Sequence, residues 1–126
     1  MKQRDCFFTK KTHAVPSHLW VVVSDPDVDG ENVLIVNLTD ANGHHDHSCV
    51  LDATDHPGVI TKRSCVAYQF ANLTSIEKLT DASNAGLLSH KAAFSEAAFQ
   101  KILDGAQESD ELKNAHRVIL RQQFLI

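Results

Sequence analysis

The sequence contains no long apolar run, no paired cysteine motif and no apolar leader. Its longest apolar stretch, Leu19 to Val23, has five residues, whereas a membrane-spanning helix needs about 20. The three cysteines, Cys6, Cys49 and Cys65, are odd in number and show no Cys-x-x-Cys spacing. Residues 1–6 lack the apolar region of a secretion signal. These absences predict a cytoplasmic protein with reduced thiols and no membrane association.

An excess of positive charge is also missing. The chain has 12 basic and 16 acidic residues, which gives a formal net charge of −4. Proteins that coat nucleic acid non-specifically need a broad basic surface, so the composition argues against this class. The acidic net charge is compatible with an enzyme that gathers a few positively charged side chains in one cleft. The eight histidines predict that local charge changes near neutral pH, because imidazole titrates there.

The clearest structural signal is a pair of strands between Leu19 and Asp40. Leu19 to Val23 is β-branched, aromatic and uncharged, which is typical of a strand buried on both faces. Ser24 to Gly30 contains aspartates, a proline and a glycine, which are turn-forming residues. Asn32 to Asp40 is again mainly aliphatic. The sequence therefore predicts a β-hairpin with polar residues at its ends.

The remaining chain predicts one domain, since 126 residues suffice for a single hydrophobic core. Short strands are predicted at residues 6–8, 48–51 and 64–70, and residues 72–79 form a connector or a last strand. One helix is predicted to begin after Ser95 and to end at Gly105, and a second to open at Ser109.

We therefore predict a fold that is mainly β with C-terminal helices. A small, strongly bent, SH3-like β-barrel is predicted to span residues from about 5 to 80. A helical tail, from about residue 81 to 126, is predicted to pack on this barrel. The two parts form one domain over residues 1–126. An open sheet of this size would expose its edges, which favours closure or dimerisation.

The order of these elements resembles the opening of PemK/MazF-type toxins. His18 to Ser24, a turn, and then Val33 to Asp40 are similar to the family's Arg-Pro-aliphatic run ending in serine and its aliphatic strand ending in Leu-Thr-Ser. Residues 64–69, Ser-Cys-Val-Ala-Tyr-Gln, are similar to the strand that carries an Asp-Gln pair in that family. The similarity covers roughly residues 16–80 and consists of strand order, length and one Leu-Thr pair.

The resemblance implies an SH3-like barrel, a homodimer and a sequence-selective, metal-independent endoribonuclease that an antitoxin protein inhibits. The implied substrate is single-stranded RNA, and no cofactor is implied. Thr39 falls on the family's threonine. His18 stands where the family has arginine, Leu19 where it has proline, and Tyr68 where it has the aspartate of Asp-Gln.

Metal-independent RNA cleavage needs a base for the 2′-hydroxyl proton, a cation for the charged phosphorane and an acid for the leaving oxygen. Imidazole serves either proton-transfer role near neutral pH, so His18 at a strand start and His56 in an Asp-His-Pro-Gly loop are candidate catalytic residues. Thr39 is the third candidate, as a hydrogen-bond donor to a phosphate oxygen. The alternatives are structural: backbone contacts at a strand end for His18 and Thr39, and a rigid turn around His56.

Lys62, Arg63 and Ser64 supply two cations and a hydroxyl at the entry to a predicted strand. Such groups form charge-assisted hydrogen bonds to phosphate, so we predict that these three residues bind RNA or phosphate, with Lys62 or Arg63 as the catalytic cation. A solvated basic turn is the alternative.

Two further hypotheses belong to other functional classes. The acidic net charge and the replaced arginine favour a non-catalytic module that binds a protein or a peptide on the same barrel. The loop His44-His45-Asp46-His47, with Cys49, contains residue types that bind zinc, which suggests a metal-binding protein. Adjacent residues of one loop rarely converge on one ion, so we assign no metal site to this loop.

Overall fold

The computed structural model describes residues 1–10 and 17–126. In chain order, its strands are β1 Cys6–Thr9, β2 Leu19–Val22, β3 Asn32–Asp40, β4 Val50–Leu51, β5 Ser64–Val66, β6 Asn72–Ser75 and β7 Leu88–Lys91. Its helices are α1 Pro26–Asp29, α2 Ile76–Asn84, α3 Glu96–Glu108 and α4 Asn114–Gln122, and one turn of 3₁₀-helix spans Tyr68–Phe70.

The predicted hairpin is confirmed. β2 and β3 pair antiparallel, with Leu19 opposite Leu38. The loop between them contains the one-turn helix α1, whose first turn is capped where the Asp27 N–H donates to Asp25 Oδ1 at 2.9 Å. Gly30 ends this turn with φ of 82°, a left-handed conformation that glycine adopts without steric cost.

β3 is the longest strand and organises the sheet around it. β2 pairs with one edge of β3, while β5 pairs with the C-terminal end of the other edge and β6 with its N-terminal end. The main path of the seven-stranded sheet runs β4-β5-β3-β2-β1-β7. All the pairings are antiparallel. The fold is therefore a small mixed fold with an antiparallel sheet and several helices, and the described strands do not close into a barrel.

The C-terminal part differs from the predicted helical tail in two ways. Helix α2 begins at Ile76, where the Ser75 hydroxyl accepts from the Lys78 N–H at 2.9 Å. Strand β7 then returns to the sheet and pairs with β1. Its sequence, Leu-Ser-His-Lys, has no aliphatic run, so only pairing with a distant strand makes it β-structure.

Among the described residues, the structure has no helix long and apolar enough to cross a membrane.

Helix α3 begins as predicted, because the Ser95 hydroxyl accepts a hydrogen bond from the Ala98 N–H. The prediction that it ends at Gly105 was wrong. A Cβ at Gly105 would overlap the Tyr68 hydroxyl and the Cys49 Cβ, so this glycine permits close packing of the helix on the sheet region. The predicted start of the second helix at Ser109 was also wrong, since α4 begins five residues later.

The two faces of the sheet have separate cores. Side chains alternate along a strand, and one set, including Val21 and Val36, packs against Ile102 of α3 in the larger core. The other set, including Val22 and Ile35, forms a smaller core with Leu79 of α2. We call these the first face and the second face.

Candidate functional site

The second face changes from apolar to polar along β2 and β3. Ile35 lies in the core under α2, and two residues further along the strand the same face carries Asn37, then Thr39. On β2, Trp20 lies opposite Asn37, and His18 precedes the strand by one residue. The polar end of this face borders two clefts, and His18 lines both of them.

The first cleft has a volume of about 300 Å³. It contains four of the six predicted site residues: His18, Thr39, Lys62 and Ser64. Its other lining residues are Phe8, Ser17, Leu19, Leu38, Asp40, Val59, Ile60 and Thr61. A histidine, a cation and hydroxyls that are separate in sequence thus share one concave surface.

His18 is held by the backbone of β3. Its Nδ1 lies 3.3 Å from the Leu38 carbonyl oxygen, and a carbonyl only accepts hydrogen bonds, so Nδ1 carries the proton that is donated. In the neutral ring, Nε2 therefore keeps its lone pair. His18 thus makes the backbone contact that was the structural alternative to a catalytic role. The same contact places the proton on Nδ1, which leaves Nε2 free to act as a general base.

Lys62 supplies positive charge to the first cleft. Its Nζ lies 3.0 Å from Asp40 Oδ2, and both side chains are substantially exposed. Hydrogen bonds from the Asn42 backbone N–H and from Lys62 hold the pKa of Asp40 below its usual value. The Ser64 hydroxyl donates to the Lys62 carbonyl oxygen at 2.9 Å, which ties the cation's backbone to the start of β5.

The first cleft does not include Arg63 or His56. Arg63 is exposed and lies outside the lining of this cleft. His56 is only 8% exposed, its ring packs edge-on against Phe94, and its Nε2 donates to the Ala92 carbonyl oxygen at 2.7 Å. His56 thus joins the loop after β4 to the segment between β7 and α3.

His56 still affects the cleft through its backbone. Its carbonyl oxygen accepts hydrogen bonds from the N–H groups of Val59 and Ile60, at 3.2 and 3.0 Å, and these two residues line the first cleft. The neighbouring Asp55 accepts from Lys101 at 2.6 Å. The Asp-His-Pro-Gly loop therefore supports two residues of the cleft wall, while His56 itself, ring and backbone, lies outside the lining.

Three polar side chains of the histidine-rich loop, which contains zinc-binding residue types, make hydrogen bonds within the fold. The His45 ring contacts a glutamate after α3 at 2.8 Å, and His47 donates to a backbone carbonyl of the same loop at 3.0 Å. Burial would raise the pKa of Asp46, but hydrogen bonds from Ser109 and Ser48 hold it below its usual value. In the parts of the chain that the structure describes, no group of three or more His, Cys, Asp or Glu side chains is placed to hold a metal ion.

The second cleft, of about 520 Å³, lies on the other side of His18. Besides His18 it is lined by Trp20, Asn37, Gln69, Phe70, Ala71, Asn72 and Lys113. None of these other residues is predicted as a site residue from the sequence. The available signal was Asn37 itself, since one amide interrupts an otherwise aliphatic stretch from Val33 to Leu38.

The three cysteines offer no nucleophile to either cleft. All three are buried and unpaired. Burial raises the pKa of the Cys6 thiol to about 11 and that of Cys49 to about 12, and it raises the pKa of Cys65 as well. Since the thiolate is the reactive form, these side chains act as small core residues.

No protein-family model matches the sequence, and no curated protein matches it significantly. The geometry of the two clefts therefore carries the functional argument.

Proposed function

We propose that this protein is an endoribonuclease that cleaves single-stranded RNA in the first cleft by acid–base chemistry without a metal ion. The observation that carries the proposal is the position of His18, Thr39 and Lys62 around one cleft. His18 supplies a base, Thr39 a hydrogen-bond donor to the phosphate, and Lys62 a cation that can also protonate the leaving oxygen. Attack of a 2′-hydroxyl on the neighbouring phosphodiester requires these groups.

In the proposed reaction, His18 Nε2 accepts the proton of the 2′-hydroxyl, and the 2′-oxygen attacks phosphorus. The bond from phosphorus to the 5′-oxygen breaks, and the leaving oxygen receives a proton from the Lys62 ammonium. The Thr39 hydroxyl donates a hydrogen bond to a non-bridging phosphate oxygen as negative charge develops. The products carry a 2′,3′-cyclic phosphate and a 5′-hydroxyl.

Asp40 reduces the positive charge that Lys62 offers to an RNA phosphate at the first cleft. Its carboxylate lies 3.0 Å from Lys62 Nζ, so a phosphate must compete with Asp40 for the cation. The chain as a whole is acidic, and this competition limits binding to RNA that also makes other contacts with the clefts.

The strand arrangement supports a relationship to PemK/MazF-type toxins. One long strand, β3, pairs with β2 on one edge and with β5 and β6 in succession on the other, with a 3₁₀ turn between those two. We propose on this basis that the fold is an open variant of an SH3-like barrel, since its described strands do not close. The same relationship would make the protein a cytoplasmic homodimer that an antitoxin protein inhibits.

Purified protein incubated with a labelled single-stranded RNA and excess EDTA tests the proposal. We expect cleavage that stops when the nucleotide before the cleaved bond is 2′-deoxy, because the attacking hydroxyl is then missing. His18→Ala should lower the rate about 100- to 10,000-fold, and Thr39→Val about 100-fold. Lys62→Ala should lower the rate and also weaken RNA binding.

Two variants serve as matched controls. His90→Ala removes an exposed histidine of β7, and Lys78→Ala removes an exposed lysine of α2, which lies outside both clefts. Both should cleave like the unmodified protein. Folded protein that leaves RNA intact, in vitro and in primer extension on total RNA after induced expression, would contradict the proposal and favour the protein-binding module.

A further inference from the structure

The second cleft contains a buried amide that the cleavage reaction does not use. Asn37 is 5% exposed, and its Oδ1 has no hydrogen-bond partner among the described residues. An unsatisfied buried polar atom destabilises a fold. The neighbouring positions of β3 are aliphatic, so an aliphatic residue here would remove this cost. A ligand that donates a hydrogen bond to Oδ1 would remove it as well.

Two aromatic side chains line the same cleft. Trp20 is partly buried beside Asn37, whereas Phe70 is 57% exposed. Aromatic rings that face solvent in a cleft are the common platform for unstacked nucleobases of single-stranded RNA. Lys113 adds a positive charge to the lining, which suits a phosphate of the same strand.

We propose that the second cleft binds the base of the nucleotide next to the cleaved phosphodiester, and that Asn37 selects adenine. His18 lines both clefts, so a base in the second cleft lies beside the phosphate and 2′-hydroxyl in the first. An amide presents one acceptor and one donor side by side, and this pair matches the amino group and ring nitrogen of adenine. The assignment of the neighbouring phosphodiester rests on the proposed function.

Titration with the four nucleoside 5′-monophosphates tests the base assignment without any cleavage. Trp20 is the only tryptophan of the chain, so its fluorescence reports stacking directly. We expect AMP to bind most tightly and to quench Trp20. Asn37→Leu should lower AMP affinity about 5- to 150-fold, the range that a bidentate base contact provides.

The thermal midpoint of the same Asn37→Leu variant separates a binding role from a structural role. Because it removes an unsatisfied amide from a buried position, its unfolding midpoint should rise. An asparagine that supports the fold would instead lower the midpoint when replaced. A lower midpoint with unchanged AMP affinity would overturn the proposal.

Phe70→Leu tests the stacking part in a position that tolerates substitution, because the side chain is exposed. It should weaken AMP binding, measured by calorimetry, while Phe124→Leu, which alters another exposed phenylalanine, should not. Equal affinity for all four nucleotides, or tighter binding of GMP, CMP or UMP, would overturn the choice of adenine.

The failure of this inference can be distinguished from the failure of the proposed function. If Asn37→Leu cleaves RNA at the same sites and rates as the unmodified protein, the base assignment fails and the nuclease stands. If the unmodified protein binds AMP through Asn37 but cleaves no RNA, the base assignment stands and the nuclease fails.

Discussion

The two ends of the second face are built on the same strands and differ in what covers them. At one end, which we call the covered end, Val22 and Ile35 are buried in an apolar core with Leu79 of α2. At the other end, which we call the open end, Trp20 and Asn37 line the second cleft together with Phe70 of the 3₁₀ turn and Lys113. A single step of two residues along β3 separates Ile35 from Asn37.

The comparison shows that local strand sequence does not decide between core and site. Both ends are regular antiparallel β-structure, with Trp20 opposite Asn37 and Val22 opposite Ile35. The covered end gains stability from apolar burial. At the open end, the buried Asn37 Oδ1 has no hydrogen-bond partner among the described residues, which lowers stability.

The largest effect is expected from placing an amide at the covered end. Ile35→Asn should lower the free energy of unfolding by about 3–5 kcal/mol, because it removes buried aliphatic atoms and buries an amide without a partner. Urea unfolding followed by circular dichroism measures this value. Leu73→Asn, at an exposed position of β6, should change it by less than about 0.5 kcal/mol. Equal losses in both variants would show that burial under α2 does not determine the loss of stability.

Removing part of the cover should have the next largest effect. Leu79→Ala should lower the free energy of unfolding by about 2–3 kcal/mol through the lost apolar contacts, with Leu87→Ala as an exposed control. The rate of RNA cleavage at saturating substrate should stay the same, because α2 lies outside both clefts. A reduced rate in folded Leu79→Ala would mean that the covered end supports the chemistry.

A charge change at the open end should affect binding more than stability. Asp40→Asn leaves an oxygen to accept from the Asn42 N–H but frees Lys62, so affinity for an uncleavable 2′-deoxy oligonucleotide should rise about threefold at low salt. At about 1 M salt, where the Debye length is about 3 Å, the gain should vanish. Asp29→Asn removes the same charge from a similar turn and should not change the affinity. An equal gain in both variants would point to net charge alone.

The smallest effect is expected from thiol reagents, which test whether the open end is loosely packed. Cys65 lies opposite Thr39 at the open end, while Cys6 lies in the larger core, and both are fully buried. Their raised thiol pKa values and burial predict no reaction with Ellman's reagent in the native protein at pH 7. Rapid labelling of Cys65 alone would show that the open end opens locally.

Part of the candidate site could be predicted because its chemistry is visible in residue types at strand ends. The sequence predicts four site residues that line one cleft: His18, Thr39, Lys62 and Ser64. His56 was nominated with the same logic, but its ring is buried against Phe94. Whether a loop histidine faces a cleft or a core depends on which distant segment packs over the loop.

The sequence alone determined the hairpin of β2 and β3 and the start of α3. These features depend on local chemistry: β-branched runs, turn residues and the serine that caps the helix. Only the tertiary structure decided that residues 88–91 join the sheet, that Gly105 lies inside a helix, and that Asn37 Oδ1 is buried with no hydrogen-bond partner in the described parts of the chain. Each of these outcomes depends on contacts between segments far apart in the chain, which no local pattern encodes.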